Sequence, residues 1–153
     1  MTAASSAIGS PARRAWLAVA AAGAWSLGSA VHAGAVDAAD ERAVREVIEA
    51  QLAAFAADDA EAAFGFAAPD IRRQFGDARA FLAMVRHAYP AVYRPSSVAF
   101  FQPLGEPDAV QQLVQLRDSA GRPWLAHYRL QRLPGLGWRI EGCVLRPDSG
   151  LST

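Results

Sequence analysis

The stretch HAYPAVYRPSSVAFF, His87 to Phe101, sets Tyr89, Tyr93 and Arg94 beside two prolines. Further along, Trp124, Tyr128 and Trp138 stand in segments that alternate apolar and polar residues. A phenol offers one hydroxyl and an indole one N–H on a large apolar body, and a guanidinium grips carboxylate or phosphate. Brought together, these six residues would recognise a small apolar or weakly anionic molecule, and they are the candidate ligand-binding set. The same aromatics also suit a plain core. No residue qualifies as catalytic from its spacing: Asp70 follows Pro69 as a turn or cap residue does, and Glu141 alternates with Trp138 and Ile140 toward an outer face. His87, His127 and Cys143 have no metal-ligand spacing, so neither a metal nor another cofactor is expected. There is no G-x-S-x-G, phosphate loop or dinucleotide fingerprint.

The elements that must carry these residues divide the chain into a helical half and a strand half. Asp37 caps a helix predicted over 38–57, with Val44, Val47, Ile48, Gln51, Leu52 and Phe55 on one face. Asp58 and Asp59 stop it and start a short helix through Phe66, and one more turn is predicted over 71–75. Asp77 caps a helix whose inward stripe is Phe81, Met84, Val85, Ala88 and Tyr89, and Pro90 ends it. The period then changes to strands at 98–104, 110–117, 124–133 and 138–145, joined by hairpins. Trp124, Ala126, Tyr128 and Leu130 share one face of the third strand. In the fourth, Trp138, Ile140, Gly142 and Val144 oppose Arg139, Glu141, Cys143 and Leu145. Leu113, Leu125, Cys143 and Leu145 would then leave the outer face partly apolar, suited to a homodimer.

The first 33 residues read as a signal peptide: Arg13 and Arg14, a short apolar run, then small residues with cleavage expected after Ala33. An uncleaved anchor is the competing reading, and the paired arginines also suit twin-arginine export. Residues 34–148 form one domain and 149–153 a frayed tail. The expected location is periplasmic or secreted, without stable membrane insertion after cleavage. All 15 basic residues are arginine and 15 acids balance them, so nucleic acid is not an expected partner. With one cysteine, no intramolecular disulfide is possible, and 52% apolar residues must supply stability through packing.

The blocks EVIEAQLAAFAADDAEAAFGFAAPDIRRQFG, FLAMVRHAYPAVYRPSSV and WRIEGCVL resemble a bacterial domain of unknown function, number 4864. That family is usually placed near the nuclear-transport-factor-two-like cone folds. The resemblance implies an α+β domain, its N-terminal helices packed on a curved antiparallel sheet of about four strands, as in cystatin-like cones. It implies no reaction. Two classes of function follow for an exported soluble protein: a binder or dimeric assembly module, or an isomerase- or dehydratase-like enzyme that transfers a proton in the same cavity.

Overall fold

The computed structural model describes Arg14–Ala15 and residues 34–150. The signal segment lies outside the described residues except for Arg14–Ala15, as do residues 151–153 of the tail. Five helices precede the main sheet: α1 (Ala38–Ala56), α2 (Ala60–Gly65), α3 (Pro69–Phe75), α4 (Ala78–Ala88) and α5 (Pro90–Tyr93). The strands are β1 (Arg14–Ala15), β2 (Gly34–Ala35), β3 (Ser97–Phe100), β4 (Leu104–Glu106), β5 (Ala109–Arg117), β6 (Pro123–Leu133) and β7 (Gly137–Pro147). All strand pairs are antiparallel, in the order β1-β7-β6-β5-β4-β2, with β3 also on β5. Helices followed by an antiparallel sheet make this an α+β fold, as the sequence predicts.

The caps explain where the helices start. Asp37, Asp59 and Asp77 each accept the backbone N–H three residues on, at 2.8, 3.0 and 2.7 Å. Between α1 and α2 the chain reverses at Asp58, the one described non-glycine residue with a positive φ, at 55°. Pro90 does more than stop α4. It occupies the first turn of α5, where a missing N–H has no consequence.

Two features of the sheet depart from simple alternation. First, the strand expected over 98–104 is two strands, β3 and β4, both paired with β5. The break is held by buried Gln112, whose side-chain amide donates to the carbonyls of Phe101 at 2.7 Å and Leu113 at 2.9 Å. Second, Arg129 opposes Gly142 while Leu130 opposes Ile140, so Glu141 is an extra residue in β7. Because side chains alternate along a strand, this bulge inverts the faces beyond it. Cys143 and Leu145 therefore face the core and Val144 faces solvent at 39% exposure, the reverse of the strict alternation expected from the sequence.

The core lies between the inner sheet face and the helices. Val44, Ile48 and Phe55 of α1, Phe81 and Val85 of α4, and Val114, Tyr128 and Ile140 of the sheet are fully buried. Phe81 sits at its aromatic centre, with ring centroids 5.8 Å from Phe55, 5.4 Å from Phe64 and 5.3 Å from Phe75. The link between α2 and α3 lies along the outer edge of β7. Ile140 donates its N–H to Phe66 and accepts from Ala68, each at 2.8 Å, which pairs backbone groups that an open edge would leave bare.

Candidate functional site

The six candidate residues occupy distinct places, each fixed by its own surroundings. Tyr93 and Arg94 end α5 and converge on Asp58. The Tyr93 hydroxyl donates to Asp58 Oδ1, and Arg94 Nη2 lies 3.1 Å from Asp58 Oδ2. The guanidinium of Arg94 also stacks 4.8 Å from the Tyr93 ring centroid. The bond to Asp58 raises the pKa of the Tyr93 phenol, since an ionised phenolate would lose that bond and face a carboxylate. This cluster ties the α1–α2 turn to the end of α5 and leaves Arg94 already paired. Tyr89, at the end of α4, is buried at 4% exposure.

Trp124 opens β6, and its indole N–H donates to Asp118 Oδ2 at 3.0 Å. Asp118, only 5% exposed, also accepts from the backbone of Ala120 and Arg122 and from Arg122 Nε. The indole bond and these further donors hold its carboxyl below the usual range. A depressed folded-state pKa gives stability that is complete above the unfolded value, about 3.9, and is lost as pH falls through the folded value. The melting-temperature advantage of the native protein over Asp118→Asn should therefore be constant from neutral pH down to about 5 and shrink in more acid solution. Thermal melts of both proteins across this range provide the check.

Trp138 lies at the other end of the hairpin, opposite Arg132, whose position along β6 is eight residues or about 26 Å from Trp124. Its N–H donates to Asp40 at 3.3 Å, and Arg132 stacks at 4.8 Å from its ring while bonding the same carboxylate at 2.5 Å. Trp124 and Trp138 each finish an end of the sheet, so they do not form one wall.

Tyr128 stands at the centre of the inner face, fully buried, in a row with Gln112 on β5 and Cys143 on β7. Burial raises its pKa well above 10, and the neighbouring thiol of Cys143 adds to the shift. The hydroxyl has no hydrogen-bond partner that meets ordinary geometry, and the same is true of the side-chain oxygen of fully buried Gln51. Gln51 uses its amide, donating to the Ala63 carbonyl at 3.1 Å. A buried polar atom without a partner costs roughly 1–3 kcal/mol. Tyr128→Phe should accordingly stabilise the unliganded protein by about 1 kcal/mol, read from urea unfolding. A loss of stability instead would mean that the hydroxyl has a partner.

The other residues with reactive side chains are dispersed. Asp70 is exposed and pairs with Arg73 one helical turn away. Asp118 is the only buried carboxylate among the described residues, and it faces the hairpin turn. His127 is on the outer face, hydrogen-bonded to Gln111 at 2.9 Å. Partial burial, with Arg146 and Arg129 beside it, lowers its pKa. Around it on that face, Leu113, Leu125 and Val144 form a partly apolar surface. Neither Arg129 nor Glu141 has an ion-pair partner among the described residues. The bulge leaves Glu141 with no residue opposite it on β6. Gly142 is the sequence signal for that bulge, since an isolated strand glycine marks a bulge or a close approach. Here the Arg129 guanidinium lies 3.1 Å from where a Cβ on Gly142 would be.

Residues 37–153 match the model for Domain of unknown function (DUF4864). The chain belongs to this family. No curated protein and no solved structure matches it. The family match takes in both halves of the domain, from the Asp37 cap through the β6–β7 hairpin.

Proposed function

We propose that this family member is an exported assembly module that pairs with a second copy through the outer face of β5, β6 and β7. The observation that carries the reading is the distribution of apolar surface. The inner face is occupied by fully buried side chains, whereas Leu113, Leu125 and Val144 remain partly exposed on the outer face around His127. In a two-fold pairing each copy offers the same patch, and the unpaired Arg129 and Glu141 of one copy can meet their counterparts in the other. Export is supported by the two arginines, the apolar run and the small residues before Gly34.

Native mass spectrometry and light scattering of protein recovered from the periplasm test the proposal. The expected species is a dimer that begins at Gly34. Leu125→Asp combined with Val144→Asp should convert it to a folded monomer, because both side chains are outside the core. A native protein that is monomeric up to about 0.1 mM would refute the assembly reading.

A second reading, a small-molecule binder, is favoured by the unpartnered Tyr128 hydroxyl and Gln51 oxygen. A bound molecule that offers an acceptor to the Tyr128 hydroxyl would satisfy that group. This reading expects a retained mass that is lost in Tyr128→Phe, and the same spectra report it.

A further inference from the structure

The face proposed to pair carries a titratable group at its middle. On β6, His127 stands opposite Leu113 of β5 and Val144 of β7, with Leu125 and Arg129 two residues to either side. The charged groups that act on it are Arg146 of β7 and Arg129 of its own strand, and both disfavour a further positive charge. Among the described residues no carboxylate lies within ion-pair distance of His127. The acids of this face stand farther off: Glu106 and Glu141 line a shallow depression of about 230 Å3 with Gln111 and Arg129, and Asp148 is bonded to Gln115 at 2.6 Å. Gln111 fixes the state of the ring. Its side-chain oxygen lies 2.9 Å from His127 Nε2 and can only accept, so Nε2 carries a proton and Nδ1 of the neutral imidazole is an acceptor.

A two-fold axis through this patch sets the residue at its centre against its own counterpart. Resting on the pairing reading above, we propose that the dimer is released by acid: it closes with both His127 rings neutral and opens when they are protonated. In the closed pair each Nδ1 can accept an N–H from Arg129 of the second copy, whose guanidinium has five donors and no ion-pair partner within its own chain among the described residues. Protonation removes that acceptor and adds one positive charge per copy beside Arg129 and Arg146 of both. Linkage gives the sign. Partial burial and the two arginines already lower the pKa of His127 in a single copy, and covering it with a second face lowers it further, so the dimer holds fewer protons than two monomers. Pairing is therefore strongest above the monomer pKa of His127 and is lost as pH falls through that value toward the lower value in the dimer.

Sedimentation velocity of the full-length mature protein, as a concentration series at pH of about 7.5 and about 5.5, is the test, because carboxylates near 4.3 when unperturbed keep their charge over this range. The dissociation constant should rise about tenfold or more from the first pH to the second. His127→Gln keeps an acceptor but cannot take up a proton, so it should stay dimeric at both. His127→Arg, always cationic, should be dissociated at both, while His87→Gln on α4 should behave as the native protein. A native dimer equally strong at the two pH values would overturn the inference and leave the pairing reading standing, and so would a His127→Gln dimer that dissociates in acid as the native one does. A native monomer at both would overturn the pairing reading and the inference with it.

Discussion

Phe81→Ala should cost about 3–5 kcal/mol, a substantial part of the roughly 5–15 kcal/mol that stabilises a typical domain. Phe81 is fully buried on α4 and contacts three aromatic rings, from α1, α2 and α3. Removing it deletes the transfer energy of the ring and opens a cavity where four helices meet. These neighbours cannot collapse inward without pulling α1 from the sheet, because Val44 and Ile48 on the same helix are also fully buried. Urea unfolding followed by tryptophan fluorescence gives the measurement. A cost below about 1.5 kcal/mol would mean that the helical layer repacks freely and that Phe81 is not its centre.

The second large effect is expected at Gly105. A Cβ built there would lie 2.3 Å from the Ala109 carbonyl oxygen and 2.8 Å from the Val110 Cα, both backbone atoms that no rotamer change can move. Gly105 pairs with Val110 across the β4–β5 hairpin and with Gly34 on β2, so any added side chain must separate both strand pairs. Gly105→Ala should cost about 3 kcal/mol, at the upper end of ordinary overpacking. Amide exchange in β4 and at the start of β5 should accelerate well beyond the global change, because the strain is local. Uniform acceleration across β6 and β7 would show that the hairpin relaxes as a unit instead.

The two predictions differ in how far the sequence anticipates them. Phe81 is legible: it falls on the apolar stripe of a helix whose cap, Asp77, and stop, Pro90, are visible in the sequence. Gly105 is not, because the atoms that exclude a side chain there come from a strand pairing, and glycine before Glu106-Pro107-Asp108 reads simply as turn. Gln51 and Gln112 show the same division. The helical and strand periods both place a glutamine facing inward, but only the structure shows Gln112 holding Phe101 and Gln51 holding Ala63.

The candidate site follows this pattern. Tyr89 closes α4, and Trp124, Tyr128 and Trp138 lie in the strands that their periodicity predicts. Spacing carries no information about whether they converge, and Trp124 and Trp138 stand at opposite ends of the hairpin. Trp124 is bound to Asp118, Trp138 to Asp40, and Tyr93 with Arg94 to Asp58. Only the first of these partners is near in sequence. No period or spacing encodes the bond between residues 40 and 138.

By itself, the sequence determined the family, the α+β order, the capped helices with their buried faces, and the alternation of β5 and β6. These depend on contacts within a few residues, where backbone geometry translates directly into spacing. Only the tertiary structure decided the bulge at Glu141, which carries Cys143 and Leu145 into the core, turns Val144 outward and so defines the outer face proposed to pair. Register belongs to two strands together. One extra residue changes every face beyond it, and the free energy that selects that register comes from the core on which both strands must close.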